Sequence, residues 1–267
     1  MCIRDRHLPA MAAAAGIKLT WEDFSDLSNI IPLLTRIYPN GSADVNQFHA
    51  AGGLSFVIKE LLENGLLDGS AASVWGKTVK DYASEPILKD GKLEWRAAPP
   101  NSSDLSILRP INKPHQPNGG LKMLSGNLGK AVIKISAVSE NNRVITAPAQ
   151  VFSNEADVKT AYNNGELNKN VVVVVLAQGP QANGMPELHS LTPILANLQD
   201  KGFKVALVTD GRMSGASGKI PAAIHVFPEA VNGGNIGRIK NGDIITVDAT
   251  SGKLEVKEEI SSRAPFS

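Results

Sequence analysis

VVVVVLAQGPQANGMPELHSLTPILANLQDKGFKVALVTDGRMSGASGK, residues 171–219 of a 267-residue chain, is the stretch that decides the fold. Two apolar runs, residues 171–177 and 204–209, each stop at a loop rich in Gly and polar residues, which predicts buried strands. Between them, residues 187–201 repeat apolar side chains at helical spacing and stop before Gly202, which predicts a helix. Because a helix joins two parallel strands, the loops that follow both strands lie at one edge of the sheet.

These two loops carry the polar side chains of the stretch. Glu187 lies in the first loop, and the second contains Asp210, Arg212 and Ser214. A carboxylate is a hard oxygen ligand of the kind that Mg²⁺ prefers, and a guanidinium pairs with carboxylates or phosphates. The sequence therefore predicts a site where the two loops face each other.

Composition limits the classes of partner. The formal net charge is +1, so we expect no long-range attraction for nucleic acid or an anionic membrane. No apolar run approaches the roughly 18 residues that span a bilayer, and no signal-peptide pattern opens the chain. These features predict a soluble cytoplasmic protein. Cys2 is the only cysteine, so the sequence predicts no disulfide framework and no cysteine-based metal site within this chain.

The pattern changes near residue 98, and this predicts two domains. Residues 1–98 combine helical spacing with a connector, and residues 99–267, after a proline-rich stretch, read mostly as short strands. Helices are predicted at residues 7–16, 20–34, 43–64, 78–84 and 157–164. Strands are predicted at residues 131–138, 144–152, 171–177, 205–209, 222–226, 243–248 and 253–256.

Long motifs of this chain resemble a known family. The segments GPQANGMPELHSLTP (179–193) and VALVTDGRMSGASGKIPAAIHVFPEA (205–230) resemble dehydratases that act on sugar acids and dihydroxy acids. Further matching segments are HLPAMAAAAGIKLTWEDFSDLSNIIPLL (7–34), FHAAGGLSFVIKELLENGLL (48–67) and PNGGLKMLSGNLGKAVIKISAV (117–138). The MSGASGK form of the second loop favours the 6-phosphogluconate branch of that family.

The resemblance implies an α/β fold in which a C-terminal swivelling β/β/α barrel-like domain follows a helical remnant of a truncated N-terminal α/β domain. It begins at His7, inside a family motif, so a fragment covering the C-terminal half is expected. The family's cofactors are an iron–sulfur cluster, whose cysteine ligands have no match here, and Mg²⁺. We therefore expect no turnover from these residues alone, and a homodimer for the full-length enzyme.

The resemblance also implies roles for four residues. Ser214 is expected to be the catalytic base, Glu187 a metal ligand, and Arg212 and Ser217 substrate-binding residues. The residues alone leave other interpretations open. Arg212 can equally form a structural ion pair with Asp210, Glu187 can be a surface carboxylate that stabilises a helix start, and both serines can be turn or N-cap residues.

The reaction implied by the resemblance is a hydro-lyase step, the dehydration of 6-phospho-D-gluconate to 2-keto-3-deoxy-6-phosphogluconate in the Entner–Doudoroff pathway. Such chemistry needs a base for the proton α to the carboxylate and a Lewis acid for the departing hydroxyl. Alternatives are dehydration of dihydroxy acids or unphosphorylated sugar acids, or a non-catalytic module that binds an anion or a partner. His115, His189 and His225 share no metal-ligand spacing and are interpreted as packed or surface residues.

Overall fold

A computed structural model describes residues 7–38, 40–74, 77–213 and 218–266. The chain forms two compact units, one combining residues 1–26 with 121–267 and the other comprising Leu27–Gly120. The predicted division between residues 98 and 99 stays a prediction. None of the helices in the described ranges has the length and apolar character needed to cross a membrane.

The described residues form ten strands and seven α-helices. The strands are β1 (Ser84–Lys89), β2 (Lys92–Ala97), β3 (Leu121–Gly126), β4 (Gly129–Lys134), β5 (Val144–Phe152), β6 (Val171–Val175), β7 (Val205–Thr209), β8 (Ala222–Phe227), β9 (Ile244–Asp248) and β10 (Lys253–Val256). The helices are α1 (Leu8–Ala14), α2 (Trp21–Ile30), α3 (Val45–Ala50), α4 (Gly53–Glu63), α5 (Glu155–Asn163), α6 (Pro180–Asn183) and α7 (Leu191–Asp200). Short 3₁₀ helices occur at Val79–Tyr82, Glu140–Asn142, Ala230–Asn232 and Asn235–Arg238.

Eight of these strands close into a barrel in the order β10-β3-β4-β8-β7-β6-β5-β9. Strands β5, β6, β7 and β8 are mutually parallel, whereas β3, β4 and β9 pair antiparallel with their neighbours β4, β8 and β5. The closed mixed barrel confirms the α/β class and the β-rich character that the sequence predicts for this part of the chain.

The continuous valine run of β6 is buried because β6 separates two hydrophobic cores. Val172 and Val174 belong to the core inside the barrel. Val171, Val173 and Val175 belong to the outer core, together with Leu191, Leu195 and Leu198 of α7. A strand covered on both faces needs no polar alternation. The β6–α7–β7 unit therefore matches the predicted strand, helix and parallel strand.

The unit formed by Leu27–Gly120 is not purely helical, which corrects the predicted helical segment plus connector. Strands β1 and β2 form an antiparallel hairpin whose turn is Asp90 and Gly91, both with positive φ (51° and 74°). Asp-Gly is a strong two-residue hairpin signal, since both positions of a type I′ turn need positive φ. The single helix predicted at residues 43–64 is two helices, because Gly52 adopts φ 137° between α3 and α4.

Two other boundaries differ from the prediction. The helix expected at residues 187–201 begins only at Leu191, because Glu187 lies in an extended segment that bridges to Arg212. The helix expected at residues 20–34 ends at Ile30, since Leu33 and Thr35 form isolated β-bridges. Strand β3 was not predicted, and β4 begins before the predicted strand at residue 131.

Candidate functional site

The loops that follow β6 and β7 run side by side at one edge of the sheet. Glu187 and Arg212 form an isolated parallel bridge, with the Leu188 backbone N–H donating to the Arg212 carbonyl at 3.0 Å. The Arg212 guanidinium donates from Nη1 to Glu187 Oε2 at 2.9 Å and from Nε to the Met185 carbonyl at 3.0 Å. Two of the four predicted site residues therefore contact each other.

Arg212 and Glu187 differ in their exposure. The Arg212 side chain is 9% exposed and that of Glu187 is 35% exposed. The guanidinium is thus buried, while the carboxylate reaches solvent. Arg212 forms an ion pair with Glu187. Whether it also pairs with Asp210, or binds substrate, stays a prediction.

Asp210 is a buried structural acceptor. Its Oδ1 accepts the Gln178 backbone N–H at 2.9 Å. Its Oδ2 accepts the backbone N–H groups of Ala177 at 3.2 Å and Ala230 at 3.0 Å. Because these donors belong to the segments after β6 and β8, one carboxylate at the end of β7 ties three neighbouring loops together. A buried carboxylate is tolerated where N–H donors compensate its charge.

Two glycines allow these loops to approach closely. A Cβ at Gly211 would lie 2.6 Å from the Gln178 Cβ, and one at Gly179 would lie 2.1 Å from Oε2 of Glu229. Glu229 is buried and accepts the backbone N–H groups of Gln181 and Ala182 at 3.2 and 3.3 Å. A side chain at either position would therefore collide with Gln178 or Glu229, which favours glycine there.

A cavity of about 710 Å³ opens at this edge of the barrel. Its polar lining includes Asp210 and Glu229, whose carboxylates accept backbone N–H groups, and also His225 and Lys130. At the rim, the exposed Glu22 accepts a hydrogen bond from the Lys130 ammonium, and this bond lowers the pKa of the Glu22 carboxyl. The volume falls within the range of small-molecule sites, roughly 300–1,000 Å³.

Apolar side chains complete the cavity. Trp21, Met185 and Phe227 line it, and the Trp21 ring lies 5.6 Å from the His225 ring at an interplanar angle of 45°. Sequence reasoning missed Trp21 because it lies far from the loops along the chain. The sequence predicts a packed or surface position for His225, and its ring does pack against Trp21. Its place in the cavity lining was not foreseeable from the spacing of the histidines.

Ser214 and Ser217 lie outside the described residues, so their predicted roles stay predictions. Within the ranges that the structure covers, no three His, Cys, Asp or Glu side chains group closely enough to hold a metal ion. One cysteine does not fit an iron–sulfur cluster held by several thiolates, and Glu187 offers a single carboxylate toward an octahedral Mg²⁺ site.

Comparison with known proteins places these loops in a described family. Residues 5–82 match the N-terminal part, and residues 106–265 the C-terminal part, of the family described as dihydroxy-acid/6-phosphogluconate dehydratase. The C-terminal match includes the barrel strands and both loops of the candidate site.

Individual relatives agree with that match. The chain is 55% identical to a phosphogluconate dehydratase of Pseudomonas aeruginosa over 94% of this chain and 41% of the relative. It is 51% identical to one of Escherichia coli over 97% and 43%. It is 39% identical to a dihydroxy-acid dehydratase of Sulfurisphaera tokodaii over 97% and 44%. The chain thus spans about two fifths of the length of these curated relatives.

Proposed function

The chain belongs to the dihydroxy-acid/6-phosphogluconate dehydratase family, and we propose that it acts in the dehydration of 6-phospho-D-gluconate to 2-keto-3-deoxy-6-phosphogluconate. The observation that carries this choice is the contrast in identity. Relatives named phosphogluconate dehydratase are 50–55% identical, whereas one named dihydroxy-acid dehydratase is 39% identical over a similar share of the chain. The reaction is a hydro-lyase step of the Entner–Doudoroff pathway.

The proposed roles follow the two neighbouring loops. Ser214 takes the proton α to the substrate carboxylate, and Arg212, together with Ser217, binds the substrate. The contact between Arg212 Nη1 and Glu187 supports the role of Arg212, because it places a cation beside the proposed metal ligand. A guanidinium presents its N–H donors in a planar fork that matches the geometry of carboxylates and phosphates.

We propose Mg²⁺ as the metal, with Glu187 as one of its ligands. When bound, a divalent ion of this kind stabilises the negative charge that develops on a departing hydroxyl. Among the described residues, no three His, Cys, Asp or Glu side chains lie close enough together to complete a Mg²⁺ site or to hold an iron–sulfur cluster. Arg212 orients the Glu187 carboxylate, in the way that partners outside the ligand sphere orient metal ligands.

Finer features of the family remain part of this proposal. The barrel is proposed to be the swivelling β/β/α domain of the family. Residues 5–82, which match the N-terminal part of the family, are proposed to belong to its α/β domain. A homodimer and a cytoplasmic location are proposed for the whole enzyme, whose substrate is a small phosphorylated sugar acid. These assignments rest on the resemblance of the motifs.

A chimera tests the proposed substrate. Residues 7–266 replace the aligned segment of the Pseudomonas aeruginosa relative, and release of the 2-keto acid is followed with 6-phosphogluconate, gluconate and a 2,3-dihydroxy acid. We expect turnover that favours 6-phosphogluconate. A folded chimera that prefers either unphosphorylated acid would assign the chain to a sister branch, and one that turns over none of the three acids would contradict the proposal.

A further inference from the structure

His225 occupies an unusual backbone position in β8. Strand β4 pairs Lys130 with Phe227 and Val132 with Ile224, so two steps along β4 match three steps along β8. This is a β-bulge, in which one strand holds an extra residue. His225 adopts φ 57°, in the left-handed region where glycine is common and asparagine, aspartate and histidine are the enriched other residues.

The bulge changes the direction of neighbouring side chains. Ile224 packs in the outer core and Val226 in the core inside the barrel, although residues two apart in a regular strand point to the same face. His225 is the residue between them, and its backbone N–H donates to the Gly211 carbonyl at 2.9 Å. The bulge therefore fixes His225 beside the loop that carries Arg212.

The His225 ring lines the cavity and packs against Trp21. Both side chains are half-buried, so the pair is held in place and still reaches the cavity. Bulges often re-aim a side chain next to a functional site, and residues held in rare backbone conformations cluster at such sites. Histidine tolerates this conformation, and the bulge combines it with a place in the cavity lining.

The chemistry of the cavity defines the ligand. The three carboxylates of its lining already accept hydrogen bonds, Asp210 and Glu229 from backbone N–H groups and Glu22 from the Lys130 ammonium. His225 and Lys130 bring N–H groups suited to an anion, and the exposed ion pair of Lys130 with Glu22 is weak enough to exchange. Trp21 provides an aromatic face for the carbon chain of a polyhydroxy compound.

We propose that His225 is a substrate-positioning residue that binds an anionic terminus, carboxylate or phosphate, of a polyhydroxy acid, with Trp21 packing against the carbon chain. This inference rests on the proposed function and adds a subsite to it. It proposes a binding role for a histidine that the structure shows half-buried against Trp21.

Binding to the 267-residue chain tests the inference without requiring turnover. The probes are 6-phosphogluconate, gluconate and inorganic phosphate, followed by the NMR signals of the His225 ring and by tryptophan fluorescence. The His225 signals are assigned by their loss in His225→Asn. We expect 6-phosphogluconate to shift these signals, and His225→Asn to weaken its binding about 10-fold or more, as for a lost hydrogen bond to a charged group.

The choice of variants separates binding from folding. Asparagine adopts positive φ at low cost, so His225→Asn should keep the fold, and its melting temperature measures what loss of the ring contact with Trp21 costs. Trp21→Phe should remove the ligand-dependent fluorescence change, and His7→Gln, which changes an exposed histidine of α1's N-cap, should bind like the unmodified chain. A shift caused by phosphate alone assigns the phosphate end to His225, and one caused by gluconate assigns the carboxylate end.

Two results would overturn the inference. One is equal affinity for 6-phosphogluconate in His225→Asn and the unmodified chain, and the other is a His225 ring whose signals respond to none of the three probes. In the chimera, His225→Asn should raise KM for 6-phosphogluconate about 10-fold while kcat changes less, since binding of one terminus is what is lost. A chimera without turnover, beside intact His225-dependent binding, would contradict the proposed function and leave this subsite standing.

Discussion

Replacing Asp210 tests whether one buried carboxylate ties the loops of the site together. Asp210 is 1% exposed and accepts backbone N–H groups from Ala177, Gln178 and Ala230. Asp210→Ala leaves three donors without their acceptor, at about 1–3 kcal/mol each where water cannot replace it. We expect partial entry of water, and therefore a loss of about 4 kcal/mol in the free energy of unfolding.

Asp210→Asn is the graded variant. Its single carbonyl oxygen can keep the two bonds now made by Oδ2, while its NH₂ group faces the Gln178 N–H. The loss of one charge-assisted bond predicts a decrease of about 2 kcal/mol, half the effect of the alanine variant.

Urea unfolding followed by circular dichroism measures these differences, and hydrogen exchange at the Ala177, Gln178 and Ala230 amides localises them. Asp200→Asn is the control, because Asp200 is exposed at the end of α7 and its replacement should change stability by less than about 0.5 kcal/mol. An alanine variant at position 210 within about 1 kcal/mol of the unmodified protein, with unchanged amide protection, would refute the reasoning.

Two further predictions concern ion pairs. Burial raises the pKa of the Asp243 carboxyl, but hydrogen bonds from Arg263 and from the Lys240 backbone N–H outweigh it, so the net pKa is lowered. The resulting stabilisation is present above the unfolded pKa of about 3.9 and is lost as pH falls through the folded value. At neutral pH the unmodified protein should be about 2 kcal/mol more stable than Asp243→Asn. Urea titrations should show this difference in the free energy of unfolding shrink on acidification. An advantage that stayed constant to pH 2 would contradict this sign. Because the Glu187 side chain is 35% exposed, Glu187→Gln should lower the free energy of unfolding by less than about 1 kcal/mol, and a larger loss would show that the pair with Arg212 is mainly structural.

The central part of the fold was predictable because its signals are local. Local sequence patterns predict each element: the valine run predicts β6, the helical spacing predicts α7 and the short apolar run predicts β7. The parallel pairing of β6 and β7 then determines where the loops that follow them lie. This is why the proximity of Glu187 and Arg212 could be expected before any coordinates. Their roles rest on the resemblance, since contact alone does not distinguish a ligand from a structural pair.

What the sequence did not predict depends on tertiary context. The β1–β2 hairpin carries a clear Asp90-Gly91 turn signal, but Pro86 and the charged, exposed face of β2 obscured its strands. The position of His225 depends on a register shift between β4 and β8, and nothing in the spacing of histidines reports such a shift. Trp21 joins the cavity through contacts between segments about 200 residues apart in sequence, which no local pattern reports.

The most direct test of the central claim, that these two loops carry catalytic groups of a sugar-acid dehydratase, is kcat/KM for 6-phosphogluconate in the chimera. We expect Glu187→Gln and Ser214→Ala each to lower it by about 100-fold or more, the scale of a lost general base or metal contact, while Asp200→Asn leaves it unchanged. Glu187→Gln should do so with little loss of stability. Turnover that survives in either variant at the level of the Asp200→Asn control would contradict the claim.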